Sequence, residues 1–392
     1  MIKVYLDWNC ITHCKDTLSE LKDLLDQYKD IFICPFSVAH LRDVQTKCDA
    51  NPIEYEKDLD LLTEICGNNM LLCSDKFQLL KISPREYLSD SGEILYCLQN
   101  KFPFPYASIR NLFRSAISPE AINRIAIENH PHNVIPLVNE TLQRYLGISN
   151  IEALVKQTYP SIKCTLEMKI KYEYLVIDML GYKSESKKKS FSNIDTDAQH
   201  IYTGLFYDYL ISNDQKFRDK AKAIYSNNHC VTKIMDAKTF IHEIPRILKE
   251  CFDDQLIHNA MRIYGTPTIE EDGAHFKPLD YPLWGTFKYC YNAVSLNSSL
   301  PKNLSIFVPD KTMFCDELRT LGFITSLMLP ESERESHIES YIQSFIHSKQ
   351  HKDISFTLTT HDYNYACTLT TYEGLPALKV MCYYRQLPRN PR

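Results

Sequence analysis

Aspartates stand at the ends of short apolar runs in this sequence, and that placement restricts the fold more than any other feature. Asp7 follows Val4-Tyr5-Leu6, and Asp43 lies beyond Ile31-Phe32-Ile33-Cys34 and Pro35-Phe36-Ser37. Asp197 opens a helical pattern, and Asp214 closes Tyr209-Leu210-Ile211-Ser212-Asn213. The chain between Asp7 and Asp43 accommodates one helix and one strand, and that between Asp197 and Asp214 a short helix and a strand. Whole β/α units return the chain to one edge of a parallel sheet, so the four acids are expected to meet there.

Carboxylates gathered in this way repel one another and take up protons unless a cation compensates them. Magnesium or manganese suits such a site, because these ions prefer oxygen ligands and in pairs about 3.5–4 Å apart promote phosphodiester cleavage. Taken singly, each acid has a plainer reading. Asp7 could end a strand and cap the next turn, Asp197 and Asp214 could cap helices, and Asp43 could lie on a solvated helix face.

Three segments carry more specific information: Leu6-Asp7-Trp8-Asn9, the stretch from Pro35 to Asp43, and Asp197-Ala198-Gln199-His200-Ile201 running on to Ser212-Asn213-Asp214-Gln215-Lys216-Phe217. On these the chain resembles the PIN-domain family of metal-dependent nucleases, over residues 1–50 and 190–250. The last segment matches best, since the family's strand ends in a Ser/Thr-x-Asp turn often followed by Phe, as Ser212, Asp214 and Phe217 do here. The resemblance implies that Asp7, Asp43, Asp197 and Asp214 form the catalytic quartet, with Asp7, Asp197 and Asp214 as metal ligands. Asn9 and Ser212 would support them, and the reaction would be hydrolysis of RNA. It also suggests a bacterial toxin or phage-defence effector restrained by a regulatory protein partner. The second acid is more often Glu in the family. Here the helix from Ser37 carries His40 and Asp43 on one face, and either could be the metal-facing group. Asp195 competes with Asp197 for the third position, and the Ala198-Gln199-His200-Ile201 context favours Asp197. His200, one turn after Asp197, could reach the cleft or be structural.

The expected fold is a PIN-like three-layer α/β sandwich with a mostly parallel sheet over residues 1–254. The stretch between Asp43 and Asp197 exceeds what such a domain needs, so residues 50–190 are read as a helical insertion flanking the site. No alternating pattern there suffices for a sheet, although Met70–Cys73 could add a short strand. A turn-rich linker is expected from Gly265 to Gly285. Residues 255–392 read as a small α+β domain with strands at Ser305–Val308, Ile354–Thr360, Tyr363–Tyr372 and Ala377–Arg385, and helices at Asp316–Leu321 and Ser336–His347.

Fourteen cysteines without a paired framework, and an N-terminus that starts directly with a strand, suggest a reducing cytoplasm. No apolar run is long enough to span a membrane. A net charge of −5 argues against a surface that grips nucleic acid throughout. Local basic stretches compensate: Lys187, Lys188 and Lys189 precede the third acid, and Lys216, Arg218, Lys220 and Lys222 follow the fourth, as a phosphate-binding rim or as solvated faces. Cys10-Ile11-Thr12-His13-Cys14 lacks the second cluster that zinc requires, so core packing is favoured. A phosphatase acting through Asp7 would need an acid at position 9, where Asn9 stands. Two alternatives to an endoribonuclease stay open: a PIN-like nuclease that cuts DNA, and a non-catalytic PIN-like scaffold. Homo-oligomers are compatible with each.

Overall fold

The computed structural model describes residues 2–29, 31–46, 48, 51–73, 77–90, 106–184, 191–252, 277–283, 287–295, 302–308, 336, 354–359, 363–372 and 375–384. The chain divides into two compact units. One comprises Lys3–Tyr28 and Ile33–His242, the other Met1–Ile2, Lys29–Phe32 and Glu243–Arg392, so the division falls inside the helix Ala237–Phe252.

A four-stranded sheet is built from β1 (Ile2–Leu6), β2 (Phe32–Ile33), β5 (Tyr209–Ile211) and β6 (Lys233–Met235) in the order β2-β1-β5-β6. The β1–β5 and β5–β6 pairs run parallel, with Leu6 opposite Ile211 and Ile211 opposite Met235. Every residue of β1 and β5 is buried, as parallel strands covered on both faces require. Full burial of each Leu, Ile or Val contributes roughly 1.5–3 kcal/mol. The protein is therefore of mixed α/β construction.

Helices α1 (Trp8–His13), α2 (Ser19–Gln27), α3 (Val38–Gln45) and α4 (Pro52–Cys66) follow the first strands. In α2, Leu21 and Leu25 form the buried stripe expected from their spacing. Met70–Cys73 does become a strand, and more of the segment is sheet than the sequence indicates. β3 (Asn69–Cys73) and β4 (Phe77–Lys81) form a hairpin, with Met70 opposite Leu80. Phe36 joins it: its N–H donates to Asn69 O at 2.8 Å and its carbonyl accepts from Leu71 N at 2.8 Å. Met70 and Leu71 are buried through this pairing rather than through an alternating pattern of their own.

Residues 84–90 form α5, and α6 (Tyr106–Ser115), α7 (Pro119–Ala126), α8 (Pro131–Leu146), α9 (Ile151–Thr158) and α10 (Leu166–Met179) follow. The next elements are α11 (Phe191–Gly204), α12 (Gln215–Asn227) and α13 (Ala237–Phe252). Helix α10 packs against α6, α8, α9, α11 and α12. Its Ile170, Glu173, Tyr174, Val176, Ile177, Asp178 and Met179 are all buried. A helix buried around so much of its circumference belongs to a core, so the stretch from 50 to 190 is built into this unit.

In the second unit, β7 (Lys277–Leu283), β8 (Phe287–Ser295), β9 (Lys302–Val308), β10 (Ile354–Thr359), β11 (Tyr363–Tyr372) and β12 (Leu375–Tyr384) form a six-stranded sheet. Its order is β10-β11-β12-β9-β8-β7, and neighbours run antiparallel. Part of the expected linker is thus the edge strand β7. Pro278 and Pro282 are tolerated there because an edge strand does not use every N–H. The helix expected at 316–321 lies outside the described residues, as does that at 336–347 apart from Ser336.

Candidate active site at the sheet edge

Because Leu6 and Ile211 are register partners, the residues just beyond them, Asp7 and Ser212, come side by side. Asp7 N donates to Ile211 O at 2.8 Å, carrying the ladder one step past β1. Ser212 is buried, and its hydroxyl donates to Asp7 Oδ2 at 2.8 Å while accepting from Asp214 N at 3.2 Å. One serine therefore ties together the acids that follow two adjacent strands. Asp214 caps α12, its Oδ1 accepting from Lys216 N at 2.8 Å and Phe217 N at 3.2 Å. Phe217 is buried behind this cap.

Asp43, on α3, meets α11 through His200, whose Nε2 donates to Asp43 Oδ2 at 2.7 Å. His200 Nδ1 lies 2.5 Å from the Tyr5 hydroxyl, which is 3.0 Å from Ser37 Oγ. His40, the other candidate for the metal-facing group on this helix, does not take that part; it is buried and its ring is committed to backbone. Nε2 donates to Leu6 O at 2.7 Å, and Nδ1 accepts from Ser37 N at 3.0 Å. His40 here takes the part usually played by Glu or Gln in a capping box. Of the two residues on this helix, Asp43 is the one turned to the other acids.

Asp197 does not open its helix. The described part of α11 begins at Phe191, which puts Asp197 in the second turn, where its Oδ2 accepts from the Tyr174 hydroxyl at 3.1 Å. Asp195 turns elsewhere and pairs with Arg42 at 2.8 Å and Lys171 at 3.8 Å. The structure therefore distinguishes the two competitors for the third position.

Electrostatics show how the acids are arranged. Burial raises the Asp7 carboxyl above its ordinary range, and the charge of Asp43 adds to this; His200 and the Ser212 hydrogen bond oppose it. Burial disfavours charge on His200 too, but the Asp43 hydrogen bond and the charges of Asp43, Asp7 and Asp197 outweigh it and raise its pKa. His40 goes the other way, pushed down to about 3 by burial and by the charge of His200. His200 is thus favoured toward its charged form by the neighbouring acids, while the ring of His40, its centroid 5.1 Å away, is held toward the neutral form.

The donors fit magnesium or manganese in chemistry, being carboxylate oxygens at one sheet edge with a partly uncompensated charge on Asp7. Among the described residues no three His, Cys, Asp or Glu side chains stand close enough to hold a metal ion together. The expected three-ligand set of Asp7, Asp197 and Asp214 is therefore not assembled, because Asp197 is turned to Tyr174 on α10; a magnesium-like ion keeps several waters and needs only one or two carboxylates.

The expected basic rim is largely absent where it can be seen. Arg218 is buried, with Nη1 donating to Ser212 O at 2.6 Å, and Lys220 is buried with Nζ 2.6 Å from Asp178 Oδ1. Lys220 points inward onto Tyr174 and Asp178 of α10, whereas Arg218 turns back to the end of β5 at Ser212 and toward Asp236. Lys216 is exposed and donates to Ser184 O at 3.0 Å, and Lys222 is exposed. Lys187, Lys188 and Lys189 lie outside the described residues. Asn9 is exposed on the first turn of α1. Tyr5 and Tyr174 contribute to the site without having been legible as part of it, since a buried tyrosine reads as core. No described helix is long and apolar enough to cross a membrane, and Cys10, Cys14, Cys34, Cys48, Cys66, Cys164, Cys230, Cys251 and Cys367 are free thiols. The chain matches no protein-family model, no curated protein and no solved structure.

Proposed function

We propose that this chain is a metal-dependent nuclease of the PIN-like kind that hydrolyses RNA phosphodiester bonds. The observation that carries the reading is the hydroxyl of Ser212, which links Asp7 and Asp214 beyond adjacent parallel strands. Asp43 and Asp197 flank that edge through their common neighbour His200. Asp7 and Asp214 would hold magnesium or manganese, and Asp197 would act from the His200 side of the edge rather than as a third ligand; the ion, when bound, activates water and stabilises the leaving oxygen. Ser212 fixes the Asp7 carboxylate, the α12 N-terminus fixes Asp214, and His200 orients Asp43. Lys216 and Lys222 are the exposed cations of α12 available to phosphate. RNA as the polymer, a restraining protein partner and a role in toxicity or phage defence follow from the PIN resemblance alone.

One observation favours a second reading, a PIN-like scaffold without catalysis. His200 already binds the Asp43 carboxylate at 2.7 Å and is influenced by the charges of Asp7 and Asp197, where a metal ion would otherwise compensate the acids.

Cleavage of labelled single-stranded RNA and DNA by the wild type and Asp214→Asn, with manganese, magnesium or chelator, separates the readings. The nuclease reading expects metal-dependent cutting of RNA that the variant lacks. Cutting of DNA alone would correct the substrate, and an inert wild type under every condition would favour the scaffold.

A further inference from the structure

Asp197 is joined to the interior of the helical segment by a line of polar groups. The Tyr174 hydroxyl donates to Asp197 Oδ2 at 3.1 Å. Lys220 Nζ donates to Tyr174 Oη over a longer 3.4 Å and to Asp178 Oδ1 at 2.6 Å, and the Tyr106 hydroxyl donates to Asp178 Oδ2. Lys220 and Asp178 are both fully buried, at 0% exposure. A buried ion pair is a weak source of net stability compared with apolar side chains of the same volume. Its effect here is on direction.

An ammonium group donates only, whereas a tyrosine hydroxyl has one proton and can also accept. Lys220 therefore uses the acceptor side of Tyr174 and leaves its proton to point at Asp197. The ammonium also sits 4.6 Å from the centroid of the Tyr174 ring, which fixes the ring as well as the hydroxyl. Asp178 has an oxygen on Lys220 and the other on Tyr106, so the lysine is anchored from behind. In a low-dielectric interior such a chain polarises each successive bond.

We infer that Tyr174 is a positioning residue for Asp197, oriented by Lys220, so that residues 50–190 supply part of the active site. The inference rests on the nuclease reading, because the placement of Asp197 affects activity only if Asp197 serves the reaction. Tyr106 on α6 and both Tyr174 and Asp178 on α10 come from that segment, while Lys220 comes from α12. The arrangement crosses from one part of the unit to another and ends on a site acid.

The test is the kcat and KM of manganese-dependent cleavage by the wild type, Tyr174→Phe, Asp197→Asn and the double variant. Tyr174→Phe keeps the ring and removes only the hydroxyl. Its kcat should fall about 10–100-fold, as for loss of an outer partner that orients a site acid, with KM little changed. The double variant should be no worse than Asp197→Asn. Lys220→Met combined with Asp178→Leu, which removes both buried charges together, should also lower kcat with KM little changed. An active wild type with Tyr174→Phe at full rate overturns the inference alone, as does strict additivity in the double variant. A wild type inert with every metal and polymer overturns the nuclease reading and the inference with it.

Discussion

His200 Nε2 donates to Asp43 Oδ2 at 2.7 Å, joining residues 157 positions apart in the chain. The bond fastens α11 to α3, which pack together, and Asp43, Asp7 and Asp197 all favour the charged form of the His200 ring. Its partner atom Nδ1 continues through Tyr5 to Ser37, at the N-cap of α3. Both ends of α3's first two turns are thereby tied to the neighbourhood of β1.

This bond makes stability depend on pH. His200 has a folded pKa above its unfolded value of 6.5, so its stabilising contribution is fully present below pH 6.5 and is lost as pH rises through the folded value. The Tm difference between wild type and His200→Gln should be largest near pH 5.5–6 and shrink toward pH 9. A difference that grows with pH would contradict the assignment of charge.

Asp7 has the opposite consequence. Its folded pKa is raised above 3.8 by burial, so the native state loses stability as pH rises from 3.8 through the folded value and the carboxylate ionises. Asp7→Asn can still accept from Ser212 and should raise Tm at pH 7 by about 2–4 °C, the shift roughly 1 kcal/mol produces in a domain of this size. Cleavage should vanish in the same variant, the trade-off expected of a functional acid. A lower Tm at pH 7 by thermal denaturation would count against an electrostatic penalty at Asp7.

Ser212→Ala removes the group shared by Asp7 and Asp214. It takes a donor from Asp7 Oδ2 and an acceptor from Asp214 N, and should cost about 1–3 kcal/mol in denaturant unfolding. Its cleavage rate should drop along with that stability. A variant as stable and active as the wild type would remove Ser212 from the site.

Gly204 closes α11 under Tyr225. A Cβ at this position would lie 2.6 Å from the Tyr225 hydroxyl oxygen and 3.3 Å from Leu210. The hydroxyl is held by Ile201 O at 2.7 Å, so it cannot yield freely. Gly204→Ala should destabilise by about 1–3 kcal/mol through overpacking. Adding Tyr225→Phe, which deletes the clashing atom, should recover part of that loss in a double-mutant cycle; simple additivity would show that the contact is not the cause.

Much of the sheet edge was legible in the sequence because it depends on local signals. Val4–Leu6 and Tyr209–Ile211 are unbroken apolar runs, Asp214 and Phe217 have the spacing of an N-cap and its buried follower, and Ala237–Phe252 has a helical apolar period. What was not legible depends on long-range packing. Nothing near His40 indicates that Leu6 O will occupy its ring, nothing near Arg218 that it will turn back to Ser212 O, and nothing near Lys220 that Asp178 of α10 will hold it. On a helix covered from several sides, a charged residue has no spacing that distinguishes an inward position from an outward one. The strand β7 was missed for a related reason: Pro278 and Pro282 read as turn formers until the pairing of an edge strand accommodates them.

The nuclease reading requires the Asp7 and Asp214 edge to take up a divalent ion. Isothermal titration of manganese into the wild type, Asp7→Asn and Asp214→Asn at pH 7 should show saturable binding by the wild type, lost or strongly weakened in both variants with their folds intact by circular dichroism. No binding by the wild type, or equal binding by all three proteins, would contradict it.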